Sequence, residues 1–234
     1  NLDAEEDTDF ETVSISRQVV QAVPVTMEEA AAVLPASDEH LPSSSTPFIP
    51  ENSPTVSMDD STSRFSGTEW YNEMEYKSIM IAGCGGIGSN LAYQIARLKP
   101  YAITLYDDDI VEIANMSGQL CRSSDVGMSK VAAVHDTIRD YTSMYNVRAI
   151  DVKFRAITPA TDIMLCGFDS IEARKTYYNA WKNRLLNLST SGKKHCLFMD
   201  GRLTIDTFQV LCITGEDSYN MDRYEREFLF DESQ

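Results

Sequence analysis

A glycine-rich stretch has the residue spacing of a phosphate-binding turn. The apolar run Ser78–Ala82 leads into Gly83-x-Gly85-x-x-Gly88, with a further glycine at Gly86, and an amphipathic run follows. In a strand–turn–helix unit, such glycines permit a sharp turn, the approach of a phosphate to the backbone and close packing of helix on strand. The first turn of the helix offers unpaired N–H groups to an anion. The stretch therefore predicts a nucleotide phosphate site and leaves the reaction open.

A carboxylate at the end of the next apolar run strengthens this prediction. Asp107 follows Gly83 by 24 residues and ends the run Ala102–Tyr106. An acidic residue in this position of a Rossmann-like unit accepts hydrogen bonds from the ribose hydroxyls. The two signals together predict the binding of an adenosine nucleotide. The alternative is an acidic loop that only caps a strand.

Alternating strands and helices are expected to position these residues. Short apolar runs predict strands, and longer segments with one apolar face predict helices. The predicted strands are Lys77–Ala82, Ala102–Tyr106, Val147–Val152, Asp162–Cys166, Cys196–Met199 and Thr207–Ile213, and the predicted helices run from the glycine turn to Lys99-Pro100, over 128–143 and over Ile171–Leu186. Such alternation is typical of an α/β fold with a doubly wound, mostly parallel sheet. We also expect an antiparallel edge late in the chain.

The first 62 residues differ in composition from the rest. They hold 13 acidic residues and one basic residue, a charge of −12, out of a net charge of −16 for the whole chain of 234 residues. This Ser- and Pro-rich stretch is predicted to form an acidic arm, largely extended or disordered, ahead of a domain over residues 63–234. Within it, Thr26–Leu34 could form a short helix and Val19–Val23 could pair with a sheet edge. The arm either lies on a partner or subunit, or is a solvated tail.

Composition also narrows the class of protein. The domain is nearly balanced in charge, which argues against a nucleic-acid partner, because such partners require a basic surface. The sequence contains no run of about 20 apolar residues that could span a bilayer and no recognisable signal peptide, although the initial Asn indicates a processed or incomplete start. Five cysteines without a C-x-x-C pair suggest reduced thiols, and we expect a cytoplasmic protein without a membrane partner.

Three further motifs follow the glycine turn. They are Asp107-x-Asp109 with Asn115 and Gln119 after it, Asp125-x-Gly127-x-x-Lys130, and Asp169-x-x-x-x-Arg174. With these motifs the sequence resembles the ThiF/MoeB/HesA family, whose adenylation domain is shared with the ubiquitin-activating enzymes. The resemblance spans roughly Arg64 to Phe208. It implies a Rossmann-like, ThiF-type adenylation fold preceded by the acidic arm.

The resemblance also implies roles for individual residues. It implies that Gly83, Gly85, Gly86 and Gly88 line the nucleotide, that Asp109 also belongs to its binding site, and that Asn115 and Gln119 lie in the stretch beside the phosphates. It also implies that Asp107 holds the ribose, that Lys130 contacts the phosphates, and that Asp169 organises Mg²⁺. Lys130 and Asp169 are then the catalytic candidates for acyl adenylation, which requires cations on the phosphates and a carboxylate for the metal.

Each of the later motifs also has a structural interpretation. Lys130 could be a solvated helix residue, Asp169 could be the N-cap of the following helix, and Arg174 could support the structure instead of taking part in catalysis. The stretch Asp200-Gly201-Arg202 either lines the route of an acceptor or forms an ordinary turn at a strand end.

The sequence departs from the family pattern at two phosphate-binding arginines. Gly118 stands where the family has an arginine before the glutamine, and Gly67 stands where it has an arginine that reaches across a dimer. Arg64 and Arg122 are nearby cations that could restore the charge. Asp169 is also followed by Ser170 where the family usually has Asn.

We therefore predict an ATP- and Mg²⁺-dependent adenylyltransferase, a homodimer that activates the C-terminal carboxylate of a small ubiquitin-like or sulfur-carrier protein. The alternative is a pseudoenzyme that keeps the fold as a nucleotide-binding interaction module. An NAD-dependent oxidoreductase is disfavoured, because no catalytic His/Lys or Tyr-x-x-x-Lys arrangement accompanies the turn. The family's structural zinc is not supported, because its C-x-x-C pairs are missing, and the chain ends about where the family continues into a further segment.

Overall fold

A computed structural model of the chain describes residues 61–204 and 207–229. The predicted acidic arm lies outside these residues except for positions 61 and 62, as do its helix at Thr26–Leu34 and its apolar segment Val19–Val23.

Six strands and six α-helices make up the described part of the chain. The strands are β1 (Ser78–Ala82), β2 (Ala102–Tyr106), β3 (Val147–Ile150), β4 (Ile163–Cys166), β5 (Leu197–Leu203) and β6 (Phe208–Thr214). The helices are α1 (Glu69–Met74), α2 (Gly86–Ala96), α3 (Lys130–Thr142), α4 (Ile171–Leu185), α5 (Thr190–Lys193) and α6 (Ser218–Glu227), and two 3-10 helices occupy Ile113–Ser117 and Ser123–Asp125.

The strands form one sheet in the order β3-β2-β1-β4-β5-β6. The first five are parallel, and β6 pairs with β5 in the antiparallel direction. The chain order therefore reverses between β1 and β4, which is where open α/β sheets bind ligands. The predicted doubly wound, mostly parallel α/β fold and its antiparallel edge are confirmed.

Two apolar clusters cover the two faces of the sheet. Along β1 the side chains alternate, so Ile79 and Ile81 pack with α2 and α3 on one face, and Met80 and Ala82 face the opposite cluster. The second cluster is rich in aromatic side chains, with Tyr177, Tyr178 and Trp181 of α4 against Phe198 of β5 and Tyr224 of α6. Burial on both faces is the reason that these strands read as continuous apolar runs.

Two predicted strands end two or more residues away from the observed ends, for identifiable reasons, and the other strand bounds agree to within one residue. The strand predicted as Val147–Val152 ends at Ile150, since Val152 is exposed and the chain turns so that Phe154 enters the core. The strand predicted as Cys196–Met199 continues to Leu203 and includes Asp200, a polar residue that the apolar pattern excluded but that is fully buried. Helices α1, α5 and α6 were not predicted.

Three glycines hold the site end of the sheet together. Gly83 has a φ of +84°, and a Cβ placed on it would lie 2.5 Å from the carbonyl carbon of Gly167. A Cβ on Gly88 would lie 1.8 Å from the carbonyl oxygen of Gly83. The turn after β1, the first turn of α2 and the end of β4 therefore touch backbone to backbone, an approach that side chains would prevent.

This packing predicts that Gly88→Ala is destabilising. Alanine is favoured in helices by about 1 kcal/mol, but here its Cβ would overlap a backbone carbonyl that cannot rotate away. We expect a loss of about 3 kcal/mol in the free energy of unfolding, measured by urea denaturation. Gly118→Ala is the matched control, since a Cβ there meets nothing within 4 Å, and should change stability by less than about 0.5 kcal/mol. Equal stability of the two variants would contradict the prediction.

Candidate nucleotide site

A cavity of about 590 Å³ opens at the carboxyl ends of the central strands. Eight of the ten residues predicted to form the site line it, namely Gly83, Gly85, Gly86, Asp107, Asp109, Gln119, Lys130 and Asp169. They come from four separate segments of the chain, and the parallel strands bring these segments to one edge of the sheet.

The two remaining predicted residues lie outside the cavity lining. Gly88 is buried in the contact with Gly83 described above. The Asn115 amide oxygen accepts a hydrogen bond of 2.9 Å from the backbone N–H of Glu112 and so caps a 3-10 helix. In this structure both residues shape the surroundings of the cavity, and a direct contact of either with a nucleotide stays a prediction.

Gly85, in the middle of the glycine turn, lines the cavity and is not crowded by neighbouring atoms. A Cβ on Gly85 would meet its nearest neighbour, the Gln119 amide nitrogen, only at 3.9 Å, so Gly85 is under no comparable steric constraint from the protein itself. The loop that carries Gln119 is fixed to α2, because the Ser89 hydroxyl accepts a 2.9 Å hydrogen bond from the backbone N–H of Leu120. Unhindered backbone at a helix start is what an anion can approach.

Asp107 is a buried carboxylate held by backbone N–H groups. One oxygen accepts a 2.6 Å hydrogen bond from Cys84, and the other accepts a 2.9 Å hydrogen bond from Asp109. Burial raises the pKa of the Asp107 carboxyl, although these hydrogen bonds and the charge of Lys130 act against the rise. The carboxylate is oriented by the turn after β1 and keeps lone pairs for further donors.

Lys130 is not a solvated helix residue. Its side chain is 12% exposed, and its ammonium lies 2.7 Å from a carboxylate oxygen of Asp109. Burial lowers the pKa of Lys130, but the hydrogen bond to Asp109 and the charges of Asp107 and Asp169 outweigh this, so that its pKa is raised overall. The ammonium therefore stays charged at neutral pH.

Asp169 is exposed at the cavity wall. No hydrogen bond to its carboxylate occurs within the described ranges 61–204 and 207–229, although it lies close enough to Lys130 and Arg174 to affect the pKa of both. The proposal that Asp169 is the N-cap of the following helix is wrong. Ser170 has that role, because its hydroxyl accepts a 3.1 Å hydrogen bond from the N–H of Ala173.

A comparison with models of known protein families shows the family to which this domain is related. The model of the ThiF family matches residues 60–204, more than half of the chain. The chain belongs to the ThiF family.

The curated relatives share this domain over part of their length. The chain is 30% identical over 139 residues to ubiquitin-like modifier-activating enzyme 5 of Drosophila melanogaster, which covers 52% of this chain and 34% of that enzyme. It is 26% identical over 191 residues to the enzyme of the same name from Drosophila pseudoobscura pseudoobscura, covering 74% and 48%. The solved structure of E. coli MccB with MccA-N7isoASN shares the fold, with 19% identity, a TM-score of 0.52 and coverage of 62% and 42%. The chain thus spans between a third and a half of its relatives' length.

The two cations nearest the missing ThiF arginines do not reach the cavity lining. Arg122 pairs with Asp140 at 2.9 Å and with Asp125 at 3.3 Å. Arg64 is exposed and lies outside the cavity lining. The position of Gly118 has room for a side chain and a φ of −146°, whereas Gly67 has a φ of +90° that disfavours any larger residue.

Arg174 lines the cavity and belongs to a buried ionic network. It donates to the fully buried Asp200 carboxylate, which also accepts a 2.8 Å hydrogen bond from Arg202 and a 2.9 Å hydrogen bond from the Tyr224 hydroxyl. Burial lowers the pKa of Arg174. The stretch Asp200-Gly201-Arg202 is therefore neither a turn nor part of the cavity wall, since it lies within β5 and holds Arg174 in place.

The five cysteines form no disulfide, and the one in the glycine turn is inert. Cys84 is buried, and burial together with the charge of Asp107 raises its pKa well above the ordinary value. A thiol that does not ionise is a poor nucleophile.

No helix within residues 61–204 and 207–229 combines the length and hydropathy needed to cross a membrane.

Sequence reasoning missed several residues of the cavity wall. Lys153 and Phe154 follow β3, and Glu172 and Thr176 lie on α4. The position of β3 next to β2 was the signal that could have found the first pair, because parallel strands end at the same edge. The alignment of α4 with the cavity has no comparable signature in the sequence.

The buried network predicts that Asp200→Ala is strongly destabilising. Removing the carboxylate leaves Arg174 buried without its counter-charge, and the loss of one partner of a buried pair costs about 3–5 kcal/mol. Asp162→Ala is the matched control, because the Asp162–Arg184 pair is 42% and 37% exposed and such pairs contribute at most about 1 kcal/mol. Equilibrium urea unfolding measures both. Similar losses in the two variants would contradict the prediction, since they would show that Arg174 does not depend on Asp200 as its buried counter-charge.

Proposed function

We propose that this domain is an ATP- and Mg²⁺-dependent adenylyltransferase of the ThiF type. Its substrate is the C-terminal carboxylate of a small ubiquitin-like or sulfur-carrier protein, and it works as a homodimer. Membership of the ThiF family and similarity to ubiquitin-like modifier-activating enzyme 5 support the class of reaction.

One observation carries the proposal. The glycine turn, Asp107, Lys130 and Asp169 are far apart in sequence and line a single cavity. A dinucleotide oxidoreductase would use the turn and Asp107, but it has no need for a half-buried lysine and a free carboxylate beside the phosphate position. Adenylation requires both, because the carrier carboxylate attacks the α-phosphorus of ATP and pyrophosphate leaves with added negative charge.

The residues of the cavity have separate tasks in this reaction. The remaining lone pairs of Asp107 accept the ribose hydroxyls, and the open backbone at Gly85 and Gly86 meets the phosphates. Lys130 stays charged and exchanges part of its contact with Asp109 for a phosphate oxygen. Because Asp107 is already held by hydrogen bonds and Lys130 exchanges only one contact, little reorganisation would accompany the reaction.

Asp169 fits the magnesium that the family implies. Its carboxylate is exposed to the cavity and hydrogen-bonds to nothing among the described residues, so its oxygens are available as the hard ligands that Mg²⁺ prefers. Bound Mg²⁺ would neutralise charge on the phosphates and on the departing pyrophosphate.

A non-catalytic, nucleotide-binding role is the second candidate. The observation that favours it is a missing cation. Gly118 has no side chain where the family has a phosphate-binding arginine, and Arg122, which could have restored the charge, is engaged by Asp125 and Asp140. In this case the cavity still holds ATP, and the domain acts as an interaction module.

ATP–pyrophosphate exchange in the presence of candidate carrier proteins separates the two. We expect carrier-dependent exchange in the wild-type chain and a loss of at least about a hundredfold in Asp169→Ala. Asp151→Ala is the control, because Asp151 is exposed and lies outside the cavity lining. ATP binding without exchange, unaffected by Asp169→Ala, would favour the non-catalytic role. If the wild-type chain neither binds ATP nor catalyses the exchange, both candidate functions are refuted.

Position 118, where the family has an arginine, can be tested by restoring the side chain. Gly118 lies beside the turn, its carbonyl oxygen 3.4 Å from where a Cβ of Gly86 would be, and its backbone accepts a side chain without strain. Gly118→Arg should therefore place a cation at the phosphates and tighten ATP binding about tenfold. Gly118→Gln is the uncharged control of similar length. Equal ATP affinities of the two variants in calorimetry would show that position 118 does not face the phosphates.

A further inference from the structure

Lys153 is a cation of the cavity wall that the adenylation motifs leave without a role. It is exposed, it lines the cavity, and no hydrogen bond or ion pair joins it to the rest of residues 61–204 and 207–229. Lys130 contacts Asp109, and Arg174 contacts Asp200, so these two cavity cations already have partners.

The order of the strands places Lys153 relative to the rest of the site. Lys153 comes three residues after the end of β3, Asp107 follows β2, the glycine turn follows β1, and Asp169 comes after the end of β4. In the sheet these strands lie side by side in the order β3-β2-β1-β4. The wall of the cavity therefore presents Lys153, Asp107, the glycine turn and Asp169 in that order.

The spacing of the strands favours the base end of a nucleotide over its phosphates as the partner of Lys153. Neighbouring strands lie about 4.8 Å apart, so β3 is separated by about 10 Å from β1 and by about 14 Å from β4. A lysine side chain extends about 6 Å from its Cα. A nucleotide with its phosphates at the glycine turn and its ribose at Asp107 would extend its base toward the β3 end, where Lys153 lines the cavity.

The backbone next to Lys153 is firmly anchored. Phe154 is 6% exposed, and its ring packs edge-on against Tyr106 at 5.4 Å and Tyr177 at 4.8 Å between centroids. Position 153 is therefore fixed at the wall, and only its side chain is free to adjust.

We propose that Lys153 is a base-binding residue of the nucleotide site. Its ammonium donates a hydrogen bond to an acceptor on the edge of a purine base, since lysine offers donors only. The assignment rests on the proposed function, because it takes an adenosine nucleotide as the ligand of the cavity.

A titration of AMP, ATP and ribose 5-phosphate, followed by NMR, tests the assignment. Lys153→Met removes the charge and keeps the length of the side chain. We expect AMP and ATP to bind about tenfold more weakly to this variant, the effect of one exposed charge-assisted hydrogen bond, while the affinity for ribose 5-phosphate stays unchanged. Lys153→Arg should keep most of the affinity for AMP. Arg155→Met is the control, because Arg155 lies in the same segment, is exposed and does not line the cavity.

The outcomes separate this assignment from the proposed function. If the wild-type chain binds neither AMP nor ATP, the proposed function fails and the assignment fails with it. If the wild-type chain binds ATP and Lys153→Met binds AMP and ATP as tightly as the wild type, only the assignment of Lys153 is overturned. A loss for ribose 5-phosphate equal to that for AMP would place Lys153 on the sugar-phosphate and would also overturn it.

Discussion

The backbone contact among Gly83, Gly88 and Gly167 is the constraint on which the rest of the site depends. It sets the distance between the end of β1, the start of α2 and the end of β4 by direct contact of main-chain atoms. Asp169 lies two residues beyond Gly167, so its position relative to the glycine turn follows from the same contact. Main-chain atoms cannot adjust by changing a side-chain rotamer, so this contact closely fixes the relative positions of the three segments.

A second constraint acts from the opposite face of the sheet. Arg174 stands on the first turns of α4, directly after Asp169 and Ser170, and the buried Asp200 of β5 holds it in place. Asp200 is shared with Arg202, which also donates to the backbone carbonyl of Phe228. The start of α4 is thereby tied to β5 and to the end of α6. A buried ion network of this kind adds little net stability compared with an apolar core, but it specifies one arrangement of the elements it joins.

The sequence allowed the fold class and eight residues of the cavity wall to be predicted, since both follow from local patterns. The apolar runs located every strand, and the carboxylates at strand ends had to meet at one edge. Asn115 was predicted beside the phosphates from its position in a motif. Its side chain caps its own 3-10 helix in this structure, and its contact with a nucleotide stays a prediction. Asp200 was placed after a strand, either on the route of an acceptor or in a turn, because a polar residue within a strand is recognisable only when its buried partners on α4 and α6 are known. Lys153 went unnoticed for a related reason: its importance comes from the neighbour of β3 in the sheet and not from any neighbour in sequence.

The charges around the cavity limit what it can hold. Five carboxylates line it, those of Asp107, Asp108, Asp109, Asp169 and Glu172, against the three cations Lys130, Lys153 and Arg174. Two of these cations already contact carboxylates, so the lining as a whole is electronegative. A polyphosphate alone would be repelled from such a surface, in the absence of the arginine that the family has where this chain has Gly118. The binding of ATP that we propose would therefore rely on the helix N-terminus, on Lys130 and on cations that arrive with the nucleotide, which a free carboxylate such as that of Asp169 would favour. In the proposed function, the same excess of negative charge would weaken the cavity for free polyphosphate and favour a nucleotide that brings its own counter-ion.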